Sequence, residues 1–122
     1  MTILIADIHG FLDSGKAPLD LVEDRAAYYE HIIPTIFEAI GIDTSRLRTV
    51  RGSSYQDKGD YFRDVLRMSS QVTGKKAKKA GAEVVKQDED SLVSASLYPL
   101  MQALDEEYLG VDAQFGGRCR LN

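Results

Sequence analysis

The chain reads as an α/β protein built on a parallel sheet, and three observations carry that reading. The segment Thr2–Ile8 is β-branched and apolar with almost no polar break, the pattern of a strand covered on both faces. A second short β-branched stretch, Leu47–Arg51, follows only after a long amphipathic helical pattern. The resulting order, strand–helix–strand–helices–strand, supplies the long crossovers that parallel strands require.

The elements follow in turn. After the first strand, Gly10–Lys16 reads as a loop, and Pro18 sits where a helix can begin, because a first-turn proline loses no needed hydrogen bond. Leu19, Val22, Ala26, Tyr29, Ile33, Ile36, Phe37 and Ile40 recur at spacings of three and four, with one adjacent pair, and predict a helix closing at Gly41. Pro34 lies inside it; an interior proline costs about 3 kcal/mol, so a bend or two segments are expected there. Leu47–Arg51 is the second strand, ended by Gly52-Ser53-Ser54. Asp60–Val72 and Lys75–Gln87 read as helices, the former with Tyr61, Val65 and Met68 on one face. Ser91–Tyr108 is a further helix with Pro99 near its start, and Val111–Phe115 is the last strand, running into Gly116-Gly117. No repeat, low-complexity tract or linker divides the chain.

Composition sets broad limits. The 122 residues suit one domain, and 43% hydrophobic with 28% charged residues is ordinary for a globular protein. A net charge of −4 offers no whole-chain argument for nucleic-acid binding, so an RNA contact needs a local basic patch. Apolar runs are too short for a membrane span. The start, MTILIADIHG, lacks the basic region and cleavage-type tail of a secretory signal. The single Cys119 excludes an intramolecular disulfide and fits a reducing compartment, so the cytoplasm is the expected location.

The most informative stretch is Leu97–Gly117. Tyr98, Gln102 and Asp105 fall at i, i+4 and i+7, one row on a helix. Leu97, Met101, Leu104 and Tyr108 form a second row, the natural core face. A Tyr-Gln-Asp row against an apolar row suits a pocket wall that grips a small zwitterion with a partly apolar body. An ordinary amphipathic helix with a polar side is the competing reading.

Four blocks then carry a resemblance: TILIADIHGFLD (2–13), KAPLDLVEDRAAYYE (16–30), KKAGAEVVKQ (78–87) and YPLMQALDEEYLGVDAQFGG (98–117). In order and wording, the chain resembles the catalytic domain of tyrosyl-tRNA synthetases of the archaeal and eukaryotic type. The resemblance covers almost all of residues 1–122 and implies a partial Rossmann-like class I synthetase domain. On that pattern the family's first strand would precede Thr2, and the C-terminal part of the domain would follow the chain. A connective, dimer-forming segment would lie at about 73–97.

The implied parent reaction is the activation of tyrosine with ATP, accompanied by Mg2+, and transfer of tyrosine to tRNA by a homodimer. By resemblance, Tyr98 and Gln102 bind the α-amino group of tyrosine and Asp105 accepts a hydrogen bond from its phenol. Ala6 and His9, at the carboxyl end of the first strand where open α/β sheets bind ligands, line or support the same pocket. Capping the strand end competes as a role for His9 and is the better one for Asp7. Gln56 matches an aromatic-Gln pair near the substrate, with a polar loop as the plain alternative. Gly116 and Gly117 would let backbone approach ATP. No residue is assigned to a metal, and none to catalysis.

The chain also departs from the pattern. Where the family continues with an acidic residue and then Gln, this sequence has Arg118-Cys119-Arg120. Cysteine cannot replace a ribose-binding carboxylate, and Arg120 adds positive charge beside the substrate ammonium. A splice or frame product, a trimmed piece and a degenerate site all stay open as origins. Neither a His-Ile-Gly-His nor a Lys-Met-Ser-Lys-Ser type signature occurs in the 122 residues. Adenylate chemistry rests on positioning and stabilising phosphate charge, so this polypeptide by itself is expected not to perform it. A non-catalytic binding or interaction module derived from the synthetase fold is the alternative. Lys75, Lys76, Lys78, Lys79 and Lys86 against Glu83 leave a local excess of four positive charges, read as a solvated helix face ahead of an RNA contact. The nearby Ala80, Val84 and Val85 read as dimer contacts.

Overall fold

In the computed structural model of the protein, the structure describes residues 1–13, 18–82 and 90–115. Two parallel strands, β1 (Thr2–Ile5) and β2 (Arg48–Arg51), pair with Thr2 opposite Arg48 and Ile5 opposite Arg51. Helices α1 (Asp7–Leu12) and α2 (Val22–Ala39) lie between them in sequence, and α3 (Ser53–Gln56), α4 (Gly59–Ser69), α5 (Gly74–Gly81) and α6 (Val93–Leu109) follow. This is the expected α/β parallel architecture with flanking helices.

The first strand is shorter than its apolar run. It stops at Ile5, and Asp7, Ile8 and His9, expected at the strand's end, form the first turn of α1. The Asp7 carboxylate ends the strand. It accepts from the backbone N–H of Ile8 and of Ser53, each at 3.0 Å, and from the Ser53 hydroxyl. The Gly52 N–H meanwhile donates to the Ile5 carbonyl at 3.0 Å. Both strands therefore finish at one level and turn together into α1 and α3. Gly10 to Leu12, expected in a loop, also belong to α1, and Ser53–Gln56 make a helical turn rather than a loop.

Pro18 precedes a 3-10 turn, Leu19–Leu21, that leads into α2. α2 runs through Pro34 as one element, not as two segments. Beside the proline the Thr35 hydroxyl donates to the His31 carbonyl at 2.8 Å, one residue on from the Glu30 carbonyl that loses its ladder N–H. Beyond the helix, Gly41 takes φ 81°, a conformation open to glycine at no steric cost. Arg51 on β2 ties the long helix to the sheet by ion pairs to Glu23 and, at 2.7 Å, to Glu30.

The core is a cluster of Tyr61, Val65 and Leu104, with Tyr55, Met68, Leu97 and Met101 packed on it. Three of the four residues expected on the core face of α6 serve as such. Tyr108 sits at the rim, where its ring stacks on Tyr55 and its hydroxyl donates to Asp64 at 2.8 Å. Pro99 lies well inside α6 and is buried, not near the start of its regular part. On α5, Ala77 and Gly81 are buried and the four lysines are exposed. Lys86, Val84 and Val85 lie outside the described residues. The expected strand Val111–Phe115 is not a strand: these residues have no regular structure, and Phe115 is fully exposed. A strand exists through a hydrogen-bonded neighbour, and an alternating sequence without one does not make a ladder.

Candidate functional site

The site forms where the strand ends, α3, α4 and α6 converge, and Asp105 is its centre. This carboxylate is 2% exposed. Its Oδ1 accepts from Gln56 Nε2 at 2.8 Å and from the Tyr61 hydroxyl at 2.8 Å. Its Oδ2 is buried and has no hydrogen-bond partner among the described residues. A buried carboxylate oxygen left bare is costly, so an unfilled acceptor at the centre of a site is where a donor belongs.

Around it stand further buried atoms in the same condition: both ring nitrogens of His9, the Tyr55 hydroxyl, Gln56 Oε1 and Gln102 Oε1. His9, on α1, is 4% exposed; its Nε2 stands 3.7 Å from Asp105 Oδ2, and its ring meets the edge of Tyr98 with centroids 4.7 Å apart. Tyr55 stacks on Tyr108 and lies near enough to Asp105 to feel its charge, outside hydrogen-bonding geometry. Burial first, and the Asp105 charge second, push the hydroxyls of Tyr55 and Tyr61 well above the ordinary tyrosine range. Both stay protonated near neutrality and keep a proton to donate.

Burial also lowers the His9 pKa below its ordinary 6.5, with Asp105, the backbone of Tyr98 and Asp7 pulling the other way. The consequence for stability has a definite sign. Above pH 6.5 the imidazole is neutral in the folded and unfolded chains. As pH falls below that value, the unfolded chain takes up the proton first, and stability is lost until pH passes the folded pKa. Thermal melts of the wild type are therefore expected to shift down as pH is lowered from 7.5 through about 6. His9→Asn is expected to flatten that dependence. Glu30, held below its usual range by hydrogen bonding to Arg51, keeps its stabilising contribution above pH 4.5 and loses it only as pH falls below that value.

Of the residues expected at the site, His9, Gln56 and Asp105 come together, with Tyr98 against the His9 ring; Gln102 lies between Tyr98 and Asp105 on α6, its Oε1 buried. Ala6 does not join the Asp105 cluster: it is exposed, at the start of α1, and lines a separate apolar cleft of about 270 Å3 between β1 and α2, beside Leu4, Val22 and Ile33. Gly116, Gly117 and the Arg118-Cys119-Arg120 tail lie outside the described residues. Three participants were not legible as site residues. Tyr61 read as a core position on its helix, Tyr55 entered only as the aromatic neighbour of Gln56, and Asp7 read as a strand cap. Asp7 does cap the strand end, and through the same carboxylate it holds the first turn of α3, and with it Tyr55 and Gln56, against the strand ends. A tyrosine at a core-facing helical position was the one available signal for Tyr61, since a buried hydroxyl needs a partner.

The chain resembles known proteins over nearly all of its length. A family model described as tRNA synthetases class I (W and Y) matches residues 1–118. The chain is 57% identical over 117 residues to the cytoplasmic tyrosine–tRNA ligase of Gallus gallus, covering 96% of this chain and 22% of that protein. It is 52% identical to the cytoplasmic tyrosine–tRNA ligase of Saccharomyces cerevisiae, again over 96% of this chain, and spans 30% of that length. Among solved structures, the tyrosyl-tRNA synthetase of Archaeoglobus fulgidus complexed with L-tyrosine superposes with a TM-score of 0.78 at 41% identity, over 91% of this chain and 33% of that one. The chain thus spans about a fifth to a third of the length of these relatives. It belongs to the class I tRNA synthetase family that comprises the tryptophan and tyrosine enzymes, and its relatives there are tyrosine–tRNA ligases.

Proposed function

We propose that this chain supplies one wall of the tyrosine pocket of a tyrosine–tRNA ligase. The parent reaction joins tyrosine to ATP as tyrosyl-adenylate, with release of pyrophosphate, and then passes the tyrosyl group to tRNA. The observation that carries the reading is the bare, buried Oδ2 of Asp105 at one end of a polar row on α6. From Tyr98 to Asp105 the helix rises about 10 Å, enough to bracket an aromatic amino acid from ammonium to phenol. Gln102 Oε1, buried and without a hydrogen-bond partner among the described residues, is an acceptor suited to the ammonium end alongside Tyr98. Asp105 Oδ2 is an acceptor suited to the phenol proton. A site built to pair a hydroxyl rejects the analogue that lacks it, because its own polar group is then left bare.

ATP is a substrate in this reading. Mg2+ accompanies it, as the family resemblance implies. The reading also includes a homodimer through the segment about 73–97, tRNA as partner, and a cytoplasmic location. The last accords with the names of the relatives. No helix among the described residues is long and apolar enough to cross a membrane.

Calorimetric titration with L-tyrosine, L-phenylalanine and ATP tests the reading. Selective binding of tyrosine is expected, with no pyrophosphate exchange by the 122-residue chain alone. Absence of binding to all three would leave an interaction module made from the same fold.

A further inference from the structure

Asp105 is not a symmetric acceptor. An ionised carboxylate offers about four lone-pair positions, two on each oxygen. Gln56 Nε2 and the Tyr61 hydroxyl, both at 2.8 Å, occupy the two on Oδ1, and Oδ2 has none filled among the described residues. The donors come from different elements, α3 and α4, and reach across 49 and 44 residues of sequence. Together they fix the plane of the carboxylate. Tyr61 can hold its post because it cannot move: it is 1% exposed, packed against Val65 and Leu104, with its ring edge-on to Tyr108 and its hydroxyl also 2.9 Å from the Met101 carbonyl. Gln56 is constrained as well, since its Oε1 lies against Gly52 where a Cβ would come within 2.6 Å.

We propose that Tyr61 is a positioning residue for specificity: together with Gln56 it fills Oδ1 of Asp105, leaving Oδ2 to read a hydrogen-bond donor on the para position of an aromatic amino acid. The inference rests on the pocket reading above and deepens it. The recognised feature is the donated proton rather than the size or polarity of the substituent. Tyrosine satisfies it, phenylalanine lacks the group, and O-methyl-tyrosine carries the oxygen without the proton. If the Tyr61 hydroxyl is removed, Oδ1 regains an open position, the carboxylate can turn about its Cβ–Cγ bond, and the two oxygens lose their separate roles. Tyr61 does this without touching the ligand.

The test uses Tyr61→Phe in the 122-residue chain, with Tyr108→Phe as the control, because Tyr108 belongs to the same aromatic cluster but its hydroxyl serves Asp64. One readout needs no ligand: NMR of the Gln56 side-chain amide. Its hydrogen exchange is expected to quicken about tenfold in Tyr61→Phe and to stay unchanged in Tyr108→Phe. An unchanged amide in Tyr61→Phe overturns the positioning role, whatever the chain binds. The second readout is titration with L-tyrosine, L-phenylalanine and O-methyl-L-tyrosine. Wild type is expected to prefer tyrosine over both, and Tyr61→Phe to lose about tenfold in tyrosine affinity while phenylalanine affinity stays within about twofold. An equal fall for tyrosine and phenylalanine would mark Tyr61 as packing only. Equal wild-type binding of tyrosine and O-methyl-tyrosine would overturn the reading of a donated proton. A wild type that binds none of the three defeats the pocket reading itself and with it the specificity role, while the amide readout separately judges the positioning.

Discussion

Asp105→Ala is expected to destabilise the chain by about 3 kcal/mol or more, while Asp105→Asn stays within about 1 kcal/mol of wild type. The two substitutions separate what Asp105 does for the fold from what it does for a ligand. Alanine strands the buried Gln56 amide and leaves the Tyr61 hydroxyl with the Met101 carbonyl alone. Asparagine keeps a carbonyl oxygen where those donors converge, and it removes a buried negative charge whose second oxygen is bare. Its amide nitrogen then takes the place of Oδ2, and an acceptor becomes a donor. Tyrosine loses a charge-assisted hydrogen bond, so the tyrosine-to-phenylalanine preference is expected to fall about tenfold in Asp105→Asn. Urea denaturation and calorimetric titration of the two variants check this. Equal destabilisation by both would show that Gln56 and Tyr61 do not depend on this acceptor.

Gly52→Ala is expected to cost about 2 kcal/mol and to disturb the site from behind. The backbone there, φ −58° and ψ −47°, is one that alanine adopts freely, so conformation alone would not penalise the change. The penalty is steric. A Cβ would stand 2.6 Å from Gln56 Oε1 and 3.0 Å from Asp7 Oδ1. Both neighbours are committed: Gln56 to Asp105, and Asp7 to Ser53 and the start of α3. The Gln56 side chain must give way, which breaks the Gln56–Asp105 bond. Denaturation midpoints would show the lost stability. Alanine tolerated at no cost would mean that the turn between β2 and α3 has slack to absorb a methyl group.

Much of this fold was legible along the chain, because its signals are local. The period of the apolar residues in Val22–Ala39, Gly59–Ser69 and Val93–Leu109 marked three helices, and the row Tyr98, Gln102, Asp105 followed from helix geometry alone. Where the reading failed, a non-local contact had overruled a local preference. Ile8 is a β-branched residue in an apolar run, yet it is helical, because Asp7 is tied to Ser53, which follows β2. Val111–Phe115 alternates apolar and polar residues as a strand does but has no ladder, since alternation does not provide a neighbour.

By itself, the sequence determined the parallel α/β plan, the family, and the line of polar side chains on α6. Each of these is written in residue order, as periodicity or as long shared words. Only the tertiary structure decided what that line faces. It brought His9 from α1, Gln56 from α3 and Tyr61 from α4 around one carboxylate, and it turned Ala6 away toward another cleft. The reason is that a helix sets the spacing of its own side chains, whereas a hydrogen bond spanning more than forty residues exists only once packing has buried both partners and excluded the water that would otherwise satisfy them.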